Sequence, residues 1–160
     1  MLILRSSELE PNRLSVPQLP RSPGGLGAGT DRAPQGRMDR PELERRSLAL
    51  AAGVFRFCSS CRSAPGGRGP AEQLVDSATS VGANDRATSR ARSRAEFVSK
   101  LGIVVEEADE TVYWLEFAAR VGLGDEAVAD ELLAEARELR AIFAASYATA
   151  RRNASVRRVR

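Results

Sequence analysis

Apolar residues along this 160-residue chain recur at steps of three and four, and nowhere in the strict alternation of a half-buried strand. The clearest run is Phe97, Leu101, Val104, Ala108, Thr111, Leu115 and Ala118, which alternates steps of four and three like the buried seam of a helical bundle. Ser93 and Glu96 form an S-x-x-E capping box ahead of it, and Gly122 and Gly124 end it. A second run, Val128, Leu132, Ala136, Leu139, Phe143 and Tyr147, predicts a helix capped by Asp125 and reaching about Arg152. Upstream, Pro41 suits a first helical turn, and Leu48, Ala51, Phe55 and Cys58 predict a helix over 41–62, stopped by Pro65, Gly66 and Gly67. Leu74, Val75, Ala78 and Val81 predict another over 70–83. Four helices with short connections favour antiparallel neighbours, so the expected fold is all-α, an antiparallel up-down four-helix bundle.

Residues 1–37 break this pattern. Five prolines and five glycines interrupt them without apolar periodicity, so they read as a disordered N-terminal extension. The helical pattern begins just after Met38, which points to Met38 as the natural start; a genuine flexible arm is the competing reading. The expected division is therefore 1–37 as extension, 38–153 as bundle and 154–160 as a basic tail.

Composition narrows the function classes. Apolar residues make up 42% and charged ones 28%, with no apolar run long enough to span a bilayer and too short an apolar start for a secretory signal. The expected location is the cytoplasm. The chain has no histidine, so the commonest general base and the commonest metal ligand are both missing. No catalytic residue, metal ligand or cofactor is assigned, and the chain is not expected to be an enzyme. The net charge of +3 is unevenly spread: residues 38–150 are acidic on balance, whereas the last ten residues carry five arginines and no acid. Nearly all the cations are arginine, a preference that a GC-rich coding sequence also explains.

Four segments resemble one family of small proteins. Gln73–Asn84 (QLVDSATSVGAN), Ser93–Ile103 (SRAEFVSKLGI), Glu110–Leu115 (ETVYWL) and Ala144–Asn153 (AASYATARRN) occur in the order seen in the 23S rRNA-intervening-sequence ("four helix bundle protein") family. These proteins were first noted as reading frames inside bacterial 23S rRNA genes. The resemblance covers about 42–153. Asp85 departs from the aromatic or aliphatic residue usual after the Ala83-Asn84 pair, which puts a local change of the turn there. What the resemblance implies is a four-helix bundle assembled as a ring-shaped homo-oligomer, typically a pentamer. The chain is also similar to the accessory variability determinant proteins of diversity-generating retroelements, which are pentamers that bind nucleic acid and a reverse transcriptase. Resemblance thus speaks to fold and assembly more than to function.

Individual motifs are best weighed against their plain explanations. Cys58 and Cys61 form a C-x-x-C, but at the end of a helix rather than its N-terminus, and a structural zinc site needs two further ligands that the chain lacks. Glu106, Glu107, Asp109 and Glu110, with Glu131, Glu135 and Glu138, have no histidine to complete a di-iron set and read as solvated or inter-subunit faces, pairing with Arg120, Arg137 and Arg140. Tyr113 and Trp114 cannot both lie under the Thr111–Leu115 seam, because neighbours on a helix diverge by about 100°. Tyr113, Trp114, Phe117 and Val121 are accordingly the expected oligomer interface, with extra core depth as the alternative.

In an up-down bundle four helix ends share one pole. Arg40, Arg45 and Arg46 start the first helix, Arg86, Arg90, Arg92 and Arg94 surround the second connection, and Arg151, Arg152, Arg157, Arg158 and Arg160 trail from the fourth. Arginines near helix C-termini also complement the helix dipole, which accounts for Arg86, Arg151 and Arg152 but not for Arg92 and Arg94. The expected nucleic-acid contacts are Arg45, Arg46, Arg86, Arg90, Arg92, Arg94, Arg151, Arg152, Arg157 and Arg158. The function read from the sequence is a non-enzymatic oligomeric scaffold whose partners are itself and structured RNA, DNA or a nucleoprotein, with no membrane. A protein–protein adaptor with no nucleic-acid role is the alternative.

Overall fold

The structure, a computed structural model, describes residues 39–156. The extension 1–37, Met38 and the final residues 157–160 lie outside them. Four helices make up the described chain, with no strand: α1 (Arg40–Cys61), α2 (Arg68–Thr88), α3 (Arg94–Val121) and α4 (Glu126–Val156). They form a four-helix bundle in which α1 lies against α2 and, more thinly, α4, while α3 lies against α2 and α4. The backbones of α1 and α3 do not approach each other closely, nor do those of α2 and α4, so these pairs face each other across the core.

The helix ends follow the chemistry of the sequence. The Ser93 hydroxyl accepts from the Glu96 backbone N–H at 3.1 Å, and the Glu96 carboxylate accepts in return from the Arg92 backbone N–H at 2.9 Å. Gly122 adopts the left-handed conformation at φ 67°, with Leu123 N–H bonded to Ala118 C=O at 2.9 Å and Gly122 N–H to Ala119 C=O. That pair of bonds is a Schellman motif, which satisfies carbonyls the helix would leave unpaired. Asp125 accepts from Val128 N–H at 3.0 Å and so caps α4. Gly124, at φ 81°, passes so close to Phe57 and Cys61 that an added Cβ would lie 2.5 Å from the Phe57 ring. The turn into α4 is thereby pressed onto the end of α1.

The core is one cluster fed by all four helices, with Leu50 and Val54 from α1, Leu74 from α2, Leu115 from α3 and Leu139 and Phe143 from α4. The α3 seam lies inward, although its first member, Phe97, is only half-buried. α1 differs from expectation in part: Ala51 and Cys58 of the expected stripe are buried, together with Leu43, Leu50, Val54, Phe57 and Cys61, whereas Leu48 is 69% exposed and Phe55 56% exposed. Apolar residues occupy more than one side of α1, so two stripes fit the same spacing, and the longer stripe faces the core. In α4 a similar one-residue offset turns Ala129 inward and leaves Val128 exposed.

α2 runs further than 70–83, through Asp85 to Thr88, because no Gly or Pro interrupts Ala83–Ala87. Asp85 alters no turn. It is fully buried, and it meets Arg40 at the opening of α1. A second polar contact crosses the core where Thr111 Oγ1 donates to Ser77 Oγ at 3.2 Å, joining α3 to α2. No described helix is long and apolar enough to cross a membrane.

Candidate nucleic-acid interface

The connection from α2 to α3 carries the densest positive charge of the described chain. Between residues 86 and 100 stand Arg86, Arg90, Arg92, Arg94 and Lys100 against a single acid, Glu96. The connection is well held: Arg90 N–H bonds Ala87 C=O, Ala91 N–H bonds Thr88 C=O, and Ser89 Oγ donates to Arg86 C=O at 2.7 Å. With the Ser93 cap on its far side, this turn presents its arginines from a fixed backbone.

The arginines expected to contact phosphate fall into distinct groups. Arg86, Arg90 and Arg94 are exposed, and none has an ion pair among the described residues. Arg92 is also exposed but is drawn to Glu96 at 3.3 Å, and its backbone and side-chain N–H groups hold the Glu96 carboxyl below the usual carboxylate range. Lys100 stands 3.8 Å from the same carboxylate. Arg86, Arg90 and Lys100 line an open depression together with Ala83, Ala87 and Glu96.

The α1 arginines are occupied elsewhere. Arg45 pairs with Glu42 at 2.6 Å within one turn. Arg46 is largely buried and grips Glu135 through two hydrogen bonds of 2.7 and 2.8 Å, with Glu138 at 2.9 Å, so it ties α1 to α4. Arg40 is directed to Asp85 at 3.2 Å and donates to Thr88 Oγ1 at 2.6 Å and to the Asp85 carbonyl. On α4, the Arg151 guanidinium lies 5.6 Å from the centre of the Tyr147 ring, a cation–π contact, and Arg152 donates to Thr149 Oγ1 at 3.1 Å. Tyr147 itself lies beside Gly102, whose missing side chain makes room for the ring. Arg157 and Arg158 lie outside the described residues.

Sequence reasoning missed two members of this region. Lys100 joins the depression because it stands one turn after Glu96. Asp85 falls on the buried stripe of α2, four residues after Val81 and three before Thr88, so its register marked it as inward-facing. Burial pushes its carboxyl up to about 6, with Arg40 opposing the shift and Glu44 adding to it. Both its carboxylate oxygens lack a hydrogen bond although Arg40 is within ion-pair distance, because the guanidinium N–H groups are aimed at the Asp85 carbonyl and Thr88.

The residues expected at an oligomer interface separate similarly. Tyr113 and Val121 are 56% and 55% exposed. Trp114 is half-buried against the core, donates from Nε1 to Glu110 at 3.0 Å, and meets the rings of Tyr113 and Phe117 edge to face. Arg137 and Arg140 bind Glu116 and Asp109 within the chain, both at 2.8 Å, across the α3–α4 seam. Cys58 and Cys61 are buried free thiols, and burial pushes the Cys58 thiol up to about 12. Among the described residues no group of three acidic, Cys or His side chains converges as a metal-ligand set.

No curated protein matches the chain significantly. Among solved structures, it is similar to a protein of unknown function from the S23 ribosomal protein family of Bacteroides thetaiotaomicron VPI-5482, with 28% identity and a TM-score of 0.61. The match covers 66% of this chain and 97% of that one. Residues 42–145, from early in α1 to late in α4, match the profile of the 23S rRNA-intervening sequence proteins. With the four-helix fold and this match over most of its length, the chain belongs to the 23S rRNA-intervening sequence protein family.

Proposed function

We propose that the protein is a non-enzymatic, self-assembling scaffold that binds the phosphate backbone of structured RNA through the arginines of the α2–α3 turn. The observation that carries this reading is the trio Arg86, Arg90 and Arg94, exposed on a capped turn and without an acidic partner among the described residues. Guanidinium groups that remain unpaired within their own chain keep their full capacity for phosphate oxygens. Support for an up-down order comes from contacts between opposite helix ends: the start of α1 with the end of α2 at Arg40 and Asp85, and the early part of α3 with the late part of α4 at Gly102 and Tyr147. In that order Arg151 and Arg152 join the same pole, and a ring of copies repeats it as a continuous positive face.

The turn offers no exposed aromatic on which bases would stack. Recognition is therefore of shape and backbone rather than of sequence. Self-assembly uses the outward side of α3, where Tyr113 and Val121 are exposed and Phe117 is half-buried, with the Trp114 ring meeting those of Tyr113 and Phe117 edge to face. A protein-adaptor role is the second reading, favoured by that same exposed strip.

The test is fluorescence anisotropy of the purified chain with an RNA hairpin at a series of salt concentrations. Affinity that falls steeply with salt supports phosphate binding, each phosphate neutralised adding about 0.7 to 0.9 to the logarithmic slope. A flat dependence, or no binding at low salt, removes the nucleic-acid role and leaves the adaptor reading.

A further inference from the structure

The depression between α2 and the start of α3 is not uniformly basic. Arg86 and Arg90 line it from the α2 side, Glu96 and Lys100 from the α3 side, and Ala83 and Ala87 contribute only methyl groups. Its volume of about 290 Å³ lies at the lower limit of pockets that enclose a small molecule, so it accommodates one unit of a longer chain.

Glu96 works against phosphate binding, because a carboxylate repels phosphate oxygens. Its capping duty accounts for one of its oxygens only. Oε2 accepts from the Arg92 backbone N–H at 2.9 Å and from Arg92 Nε–H at 3.3 Å. Oε1 has Lys100 Nζ at 3.8 Å and no donor among the described residues within hydrogen-bond distance. The cap does not require the charge, since a glutamine serves a capping box as well. The Arg92 N–H groups hold the Glu96 carboxyl below the usual carboxylate range, so it is ionised at neutral pH and only accepts hydrogen bonds. The depression thus offers cations to phosphate oxygens and, on its other side, an acceptor with room for a donor.

We infer that Glu96 accepts from a ribose 2′-hydroxyl while Arg86 and Arg90 hold the adjoining phosphate, so that the depression selects RNA over DNA. Within an RNA chain the 2′-hydroxyl is the one donor on the sugar, and it stands next to the 3′-phosphate, so donor and anion arrive together. A carboxylate is also the acceptor that dinucleotide-binding folds turn toward the same hydroxyl. Deoxyribose brings the phosphate without the donor and leaves the Glu96 charge uncompensated, so DNA is disfavoured as well as RNA favoured. A-form RNA displays its 2′-hydroxyls along a wide, shallow minor groove that a protruding turn can approach. This inference rests on the phosphate-binding reading of the α2–α3 turn and adds to it the sugar that the bound chain must carry.

The experiment is fluorescence anisotropy of the full chain with two probes. One is an RNA hairpin; the other is the same hairpin with 2′-fluoro in place of every 2′-hydroxyl, which keeps the A-form and removes the donor. The parent should bind the RNA about tenfold more tightly, the scale of one hydrogen bond to a charged group. Glu96→Ala, with folding certified by circular dichroism, should bind both probes alike. Equal affinity of the parent for the two probes would overturn the inference while leaving phosphate binding standing, and that comparison needs no substitution. A preference that survives in Glu96→Ala would also overturn it, since another group would then read the hydroxyl. Failure of both probes to bind at low salt would overturn the phosphate-binding reading and the inference with it.

Discussion

The Arg40 guanidinium, on the first residue of α1, lies 3.2 Å from the carboxylate of Asp85, which is completely buried near the end of α2. A buried charge stripped of its partner is far costlier than the pair is valuable. Arg40→Met should therefore destabilise the protein by about 2 kcal/mol at pH 7, less than the loss of a fully buried pair because Arg40 is partly exposed. Adding Asp85→Leu should recover most of that loss. Chemical denaturation of the two variants checks it; a double variant no more stable than the single one would contradict the account.

The same carboxylate predicts a pH signature. Its folded value is raised to about 6 from an unfolded value near 3.8, so between these limits the folded state holds a proton that the unfolded state has released. The Asp85 contribution to stability thus falls as pH rises from about 4 to 6 and is level above that. Asp85→Asn should remove this fall. Stability measured across that window, parent against variant, reads it directly; superimposable profiles would mean that Asp85 does not titrate as described.

Cys58 and Cys61 should be inert in the folded protein. Both are buried, Cys61 Sγ donates to the Phe57 carbonyl at 3.3 Å, and burial raises both thiols, so little thiolate exists at pH 8. Alkylation by iodoacetamide at pH 8 should proceed only on unfolding. Rapid labelling of the native chain would contradict this.

Gly124→Ala should cost about 2 to 3 kcal/mol, because the methyl group would collide with the Phe57 ring at a left-handed backbone position. Gly122→Ala, where φ is also positive but nothing lies within 4 Å, should cost less, about 1 kcal/mol. Equal losses at the two sites would show that the close approach to Phe57 contributes nothing.

Much of this architecture is legible in the sequence, and the reasons differ by element. α3 is readable because capping box, seam and terminating glycines all agree, and its interior residues lie where the spacing puts them. α1 is ambiguous, since Leu48 and Phe55 satisfy helical spacing as well as Leu50 and Val54 do, and only packing against α2 and α4 selects the stripe that is buried. The end of α2 escapes a sequence reading because Asp85 looks like a turn residue until Arg40, forty-five residues away, is brought against it. The basic character of the α2–α3 turn is visible as a run of charge. Which arginines remain available is not, because the Glu135 and Glu138 that engage Arg46 lie on a different helix.

That division among the arginines gives the sharpest test of the central claim. The measurement is the salt dependence of RNA-hairpin affinity for three proteins: the parent, Arg86→Ala/Arg90→Ala/Arg94→Ala, and Arg45→Ala. The account predicts that the triple variant loses most of its affinity and that its logarithmic salt slope shrinks by about two to three, roughly one for each phosphate no longer neutralised. Arg45→Ala, whose guanidinium is held by Glu42, should bind like the parent. A triple variant with unchanged affinity and slope would contradict the claim that the α2–α3 turn is a phosphate-binding surface.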